Sequence, residues 1–309
     1  MVKVFWNEDF ISSKYAFDTT RKSKHIVDSL KSDKISGVKL TDPYKSDKTD
    51  KEDIDRLVDV SHASEYINAL RDGSPRRLAE SQGFDWDQNM YKMASAHTHG
   101  MVASVKEVIA NGGRSGSLSS GLHHADDTMG SGFCTINGVA MSAFSAVESK
   151  RKALILDFDA HCGGGTARHI AKFKDRYGKT LGDSIIQVDV SVSSFDMWDP
   201  SILDKSKLII SDAYGISRDH VYLSDIEKAL EYASSIYTDD MVVIYNAGVD
   251  PANVSMEITD ETIAKRERLV SEWVDDKPAI FSLAGGYTWG KTMDEVVNLH
   301  RHVIREWAN

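Results

Sequence analysis

Four short runs rich in branched and aromatic residues constrain the fold more than anything else in this chain. They are residues 153–158 (ALILDF), 184–190 (SIIQVDV), 241–245 (MVVIY) and 279–283 (AIFSL). Near-continuous apolar runs of this length read as strands buried on both faces of a parallel sheet. Helical patterns lie between them. Ser224-Asp-Ile-Glu227 reads as a capping box opening a helix through Tyr232. Thr259 or Asp260 caps a helix carrying Ile263, Leu269 and Val270, and a last helix spans about residues 292–307. Upstream, residues 2–6 read as a first strand, and 41–53 (TDPYKSDKTDKED) as a surface loop. Residues 99–110 read as a helix through Val102, Val105 and Ile109, stopped by Asn111-Gly112-Gly113. His97 and His99 then fall at its start and read as surface or cap residues. Strands alternating with helices predict one doubly wound α/β domain over residues 1–309.

Composition narrows the partners. Among 309 residues, 47 are acidic and 37 are Lys or Arg, a net charge of −10. That balance argues against nonspecific nucleic-acid binding, which needs clustered cations, and mildly favours cationic substrates. No apolar run reaches the length of a membrane span. Glu8 and Asp9 come too early for a secretory signal, so a cytoplasmic protein is expected. Cys134 and Cys162 are too few for a disulfide framework and are expected as thiols.

Ligands in open parallel sheets sit beyond the carboxyl ends of the strands. Polar groups collect there. Asp157-Phe-Asp159-Ala-His161 follows one apolar run, and in an extended chain its alternate side chains share a face. Two carboxylates and an imidazole on one face invite a divalent metal. His123 and His124, flanked by Gly121, Gly130 and Gly132, form a pair suited to acid–base work only if an irregular loop aims both inward. Asp250, after the 241–245 run, offers another carboxylate. Gly285-Gly286-Tyr287 can turn sharply and place a phenol where an oxyanion develops.

Taken together, these segments resemble the histone deacetylase and acetylpolyamine amidohydrolase family, of arginase/deacetylase fold. The likeness runs from about Ser61 onward and includes His62-Ala-Ser-Glu-Tyr66 and residues 260–270. The resemblance implies a single three-layer αβα domain with a central, mostly parallel sheet. It implies a zinc-dependent deacetylase in which Asp159, His161 and Asp250 bind the metal. His124 is then the general base, His123 an electrostatic partner held by Asp157, and Tyr287 the group that polarises the acyl carbonyl. Gly132 and Phe133 line the channel, and the Gly132 carbonyl receives the substrate N–H. The substrate is an acylated amine: acyl-lysine, an acetylpolyamine or a small metabolite.

The chain also departs from the family. Where relatives have His-His-Gly-Asp or His-His-Gly-Asn, this chain reads His161-Cys162-Gly163-Gly164. Gly164 thus occupies the position whose side chain orients the general base, and Cys162 offers a thiolate near the metal. A potassium ion beside the zinc, common in relatives, would draw on Asp157, with Asp189 standing where a serine is usual. The rim after Asp250, residues 253–256, is short. Ferrous iron suits the same donors as zinc. Two other functions stay open: a noncatalytic acyl-amine binder, suggested by Gly164, and a binuclear manganese ureohydrolase.

Overall fold

The four apolar runs become four neighbouring strands in the middle of one eight-stranded sheet. The computed structural model describes residues 1–11, 18–48, 50–177, 184–212, 217–253 and 256–309. Its strands are β1 (Val2–Phe5), β2 (Val38–Thr41), β3 (Arg114–Ser120), β4 (Lys152–Asp157), β5 (Ile185–Ser191), β6 (Lys207–Ile210), β7 (Met241–Gly248) and β8 (Ala279–Ala284). Their order is β2-β1-β3-β8-β7-β4-β5-β6, and every neighbouring pair is parallel. All strands therefore end at the same edge.

Each face of the sheet is covered by helices. One carries Lys51–Ser61, Ser64–Asp72, Asn89–Asn111, Gly138–Glu148 and Gly164–Tyr177, packed with Ile155, Ile244 and Ile280. The other carries Asp18–Ser32, Arg218–Ile236, Asp260–Trp273 and Met293–Ala308, packed with Leu154, Val243 and Phe281. This is the three-layer αβα arrangement of the arginase/deacetylase fold. Among the described residues, no helix is long and apolar enough to cross a membrane.

Thr259 and Thr292 are both N-caps, and Thr292 forms a full capping box with Glu295. Two expected helix starts were misplaced. The helix through Ser224 begins earlier, at Arg218, because the apolar stripe of Tyr222, Ile226 and Ala229 continues across the capping-box pattern. The other begins at Asn89, so His97 and His99 lie mid-helix and buried rather than at a surface cap. His97 meets the Phe10 carbonyl at 2.8 Å and accepts from the Ser120 N–H, while His99 meets Asp55 at 3.1 Å. Partners distant in sequence satisfy both rings. The expected 41–53 loop contains a short helical turn, Pro43–Lys45, and gives way to the Lys51–Ser61 helix, N-capped by Asp50.

β3 (RSGSLSS) has no apolar run because its neighbours come too close for large side chains. A Cβ on Gly116 would lie 2.1 Å from the Phe281 ring, and one on Gly100 would lie 2.4 Å from Ser117 Oγ. Small residues on both partners bring the long helix onto the sheet, and Ser115 Oγ donates to the Lys3 carbonyl.

Candidate active site

Five adjacent strands send their C-terminal loops to one cavity: β3 brings His123 and His124, β4 brings Asp159 and His161, β5 brings Phe195 and Asp196, β7 brings Asp250, and β8 brings Tyr287. The inner cavity is lined by His123, His124, Asp159, His161, Asp250 and Tyr287 among others. It opens to an outer vestibule that shares His124, Gly132, Phe133, His161 and Tyr287 and adds Phe195 and Trp289.

Strand β4 stops at Asp157, so simple alternation along a strand is not what groups the polar side chains. Asp157 turns to His123, whose Nδ1 is 2.7 Å from its Oδ2. Asp159 and His161 lie on the bend that follows, with Asp159 Oδ1 3.2 Å from His161 Nδ1. Asp250 Oδ2 lies 3.8 Å from the same nitrogen. One donor atom from each of Asp159, His161 and Asp250 lies within 4.8 Å of the others, and this is the group of three that fits a metal among the described residues. Gly285, at φ +57°, makes room: a Cβ there would sit 1.8 Å from Asp250 Oδ1. The Gly286 N–H donates to that same oxygen.

Electrostatics set the two carboxylates against each other. Burial and then the neighbouring Asp159 push the Asp250 carboxyl up to about 7. Two dehydrated carboxylates repel until a cation joins them. Lys22 is buried beside them with its ammonium donating to the Gly285 carbonyl. Burial pulls that amine down to about 8, against Asp250 and Asp159. Two carboxylate oxygens and an imidazole nitrogen are a fitting donor set for zinc with a position left for water.

The two histidines differ in charge. Their rings are 4.0 Å apart. Burial pulls His123 down, but Asp157 outweighs it and the imidazole rises to about 10. For His124, burial and then the charged His123 hold the ring at about 4. One imidazolium beside one neutral imidazole is how adjacent bases avoid like-charge repulsion.

Asp196 is not among the residues that the sequence singles out. Its Oδ2 lies 2.8 Å from His124 Nδ1, so the general-base candidate has a carboxylate partner although residue 164 is glycine. The case for a noncatalytic binder rested on Gly164 and loses that support. Phe195, half-exposed, was also missed. It meets the His124 ring edge-on at 5.0 Å and the His161 ring at 5.6 Å. The only sequence signal for either is an aromatic and an acid soon after a buried strand.

Cys162 corrects another expectation. Its buried thiol is pushed up to about 12 by burial and donates towards the Ser193 carbonyl, 3.4 Å away, so it stays protonated and outside the metal group. Asp157 accepts from Asn246 and from the Asp159 N–H. Asp189 accepts from the Gly163 N–H, Gln187 and Trp198. Of the short rim at 253–256, residues 254 and 255 lie outside the described residues; Asn253 and Met256 line the vestibule.

Fold and donor cluster together fit a metal-dependent hydrolase of the deacetylase type. The chain belongs to the histone deacetylase domain family, whose model matches residues 17–181. It is 26% identical to an uncharacterised protein of Picosynechococcus over 79% of this chain and 78% of that one. It is 30% identical to the acetoin utilization protein AcuC of Staphylococcus aureus, over 34% of this chain and 30% of AcuC. The chain thus aligns with less than a third of AcuC's length. Among solved structures, acetylpolyamine aminohydrolase from Burkholderia pseudomallei superposes with a TM-score of 0.73 at 14% identity, covering 99% of this chain and 98% of that one. The HDA15 HD domain superposes with a TM-score of 0.75 at 17% identity, covering 99% and 90%.

Proposed function

We propose that residues 1–309 act as one catalytic domain that removes an acyl group, acetyl in the first instance, from an amine. The substrate class is acyl-lysine, an acetylpolyamine or a small acylated metabolite. The metal is zinc, held by Asp159, His161 and Asp250. The observation that carries this reading is that these three donors, the His123–His124 pair and Tyr287 line one cavity. The similarity to an acetylpolyamine aminohydrolase supports an acylated amine.

When bound, zinc would supply a Lewis acid and lower the pKa of a water to about 7. The chain's own residues do the rest. His124, neutral at working pH, takes a proton from the attacking water and later returns it to the departing amine. His123, paired with Asp157, stays positive and favours the anionic transition state. Tyr287 has its phenol pushed well above the usual tyrosine range by burial and then by Asp250, so it remains a donor to the acyl oxygen. Phe133 and Gly132 flank the stem of the substrate, and the Gly132 carbonyl accepts its N–H. A potassium ion beside the zinc would draw on Asp157, which also accepts from Asn246 and pairs with His123.

The test is metal content together with hydrolysis of an acetyl-lysine peptide, acetylputrescine and arginine. We expect one zinc per chain and deacetylation, with Tyr287→Phe lowering kcat by about 10²–10³-fold at unchanged zinc content. Iron in place of zinc would correct the metal alone. Two manganese ions with urea release from arginine would overturn the reading. So would zinc with acyl-amine binding but no turnover.

A further inference from the structure

We propose that Asp196, on the loop after β5, is the positioning residue for His124, and that Gly164 is the space this arrangement requires. The inference rests on the reading of His124 as general base.

The geometry has three parts. First, Asp196 is clamped. Its Oδ2 accepts from the Gly165 N–H at 3.0 Å while facing His124 Nδ1, and its Oδ1 accepts from Arg168 at 2.8 Å. Its side chain is 8% exposed, so these partners are its surroundings rather than passing contacts. An ionised carboxylate only accepts hydrogen bonds. His124 Nδ1 must therefore carry the proton, which leaves Nε2 with the lone pair that abstracts one. A carboxylate that sets the tautomer and aim of a catalytic imidazole is the logic of the acid–base dyad.

Second, two such carboxylates exclude each other. A Cβ on residue 164 would lie 2.1 Å from the Asp196 carbonyl oxygen and 2.5 Å from its Oδ1. An acid at 164 and the present loop cannot coexist. The glycine that looks like the loss of a partner is what lets the partner arrive from another strand. Third, Asp196 has φ +59°, an uncommon conformation that Asp tolerates better than most residues. The loop is held there by the Cys162 N–H donating to the Phe195 carbonyl. Trp198 anchors it further by donating to Asp189. Phe195 walls the channel from the same loop, so channel wall and base orientation share one support.

An ordinary ion pair between Asp196 and Arg168 would stabilise the helix start and leave catalysis alone. The two roles separate on zinc-loaded protein with Asp196→Asn and Asp196→Ala, using an acetyl-lysine peptide. We expect kcat to fall by about 10²-fold or more in both, with KM within about threefold and zinc content unchanged. ¹⁵N NMR of the His124 imidazole should show Nδ1–H in the wild type and its loss in Asp196→Ala. The near-isosteric Asn variant keeps the kinetic test alive if the Ala variant folds poorly. Variants within about threefold of wild-type kcat would overturn the proposal. So would an unchanged His124 tautomer in Asp196→Ala. If the wild type hydrolyses no acyl-amine, the functional reading fails, while the tautomer measurement still decides whether Asp196 positions His124.

Discussion

At Gly132 a single methyl group decides whether the His124 ring can sit where it does. The residue has φ +50°, and a Cβ there would lie 2.5 Å from His124 Cδ2 and 3.3 Å from the Phe195 ring. Gly132→Ala should lower kcat by about 10²-fold by displacing His124, within the range set by general-base catalysis. The left-handed backbone should cost about 1–2 kcal/mol of stability in addition. Kinetics beside a denaturant titration checks both. Full activity in a stable Gly132→Ala protein would mean that the ring does not rest there. Sequence showed that glycines surround the histidine pair, but not which of them faces an imidazole. Gly164 is similar: its departure from the family pattern was legible, whereas the compensating Asp196 was not. Nothing local links those two positions. They meet only because β4 and β5 run in parallel, with Asp157 opposite Asp189, and release their loops side by side.

That same register sets two buried carboxylates next to each other at the element scale. Burial, and then Asp157, push the Asp189 carboxyl up to about 7. Its folded value therefore lies above the unfolded one, near 4. Between those values the folded state binds more protons than the unfolded chain, so this group's contribution to stability falls as pH rises from about 4 to about 7. Asp189→Asn should flatten that part of the profile. Relative to wild type, the variant should gain as pH goes from 5 to 8, by on the order of a few kcal/mol at most. Its absolute stability should drop, because an amide NH₂ would face the donors of Gln187, Gly163 and Trp198. Parallel stability-versus-pH curves for the two proteins would rule the idea out. At this scale the central strands were readable because burial on both faces demands apolar side chains. β3 was not, because close packing there demands small ones.

Across the whole molecule, a buried negative cluster suits a divalent cation. Asp159 and Asp250 are 1% and 2% exposed, with Lys22, His123 and His161 beside them. Stripping the metal with a chelator should abolish activity and lower Tm, and zinc should restore both. Saturating zinc at about a thousandfold above Kd stabilises by about 4 kcal/mol. A Tm indifferent to chelation would argue that the cluster holds no ion. The fold itself tolerates wide drift: the chain superposes on the acetylpolyamine aminohydrolase with a TM-score of 0.73 at 14% identity. A parallel sheet needs only apolar strands and covering helices, whereas the chemistry needs particular atoms at one edge.

Asp157-Phe-Asp159-Ala-His161, the histidine pair, Asp250 and Tyr287 stand out in the sequence, and all of these polar groups except Asp157 line one cavity. All but the histidine pair follow a short apolar run, and a parallel sheet gathers whatever follows its strands. The family resemblance already implied Asp157 with His123; tertiary structure alone decided Asp196 with His124 and Lys22 beside Asp250. Those pairings depend on strand order and register, which arise from packing between segments far apart in the chain and leave no mark on local spacing.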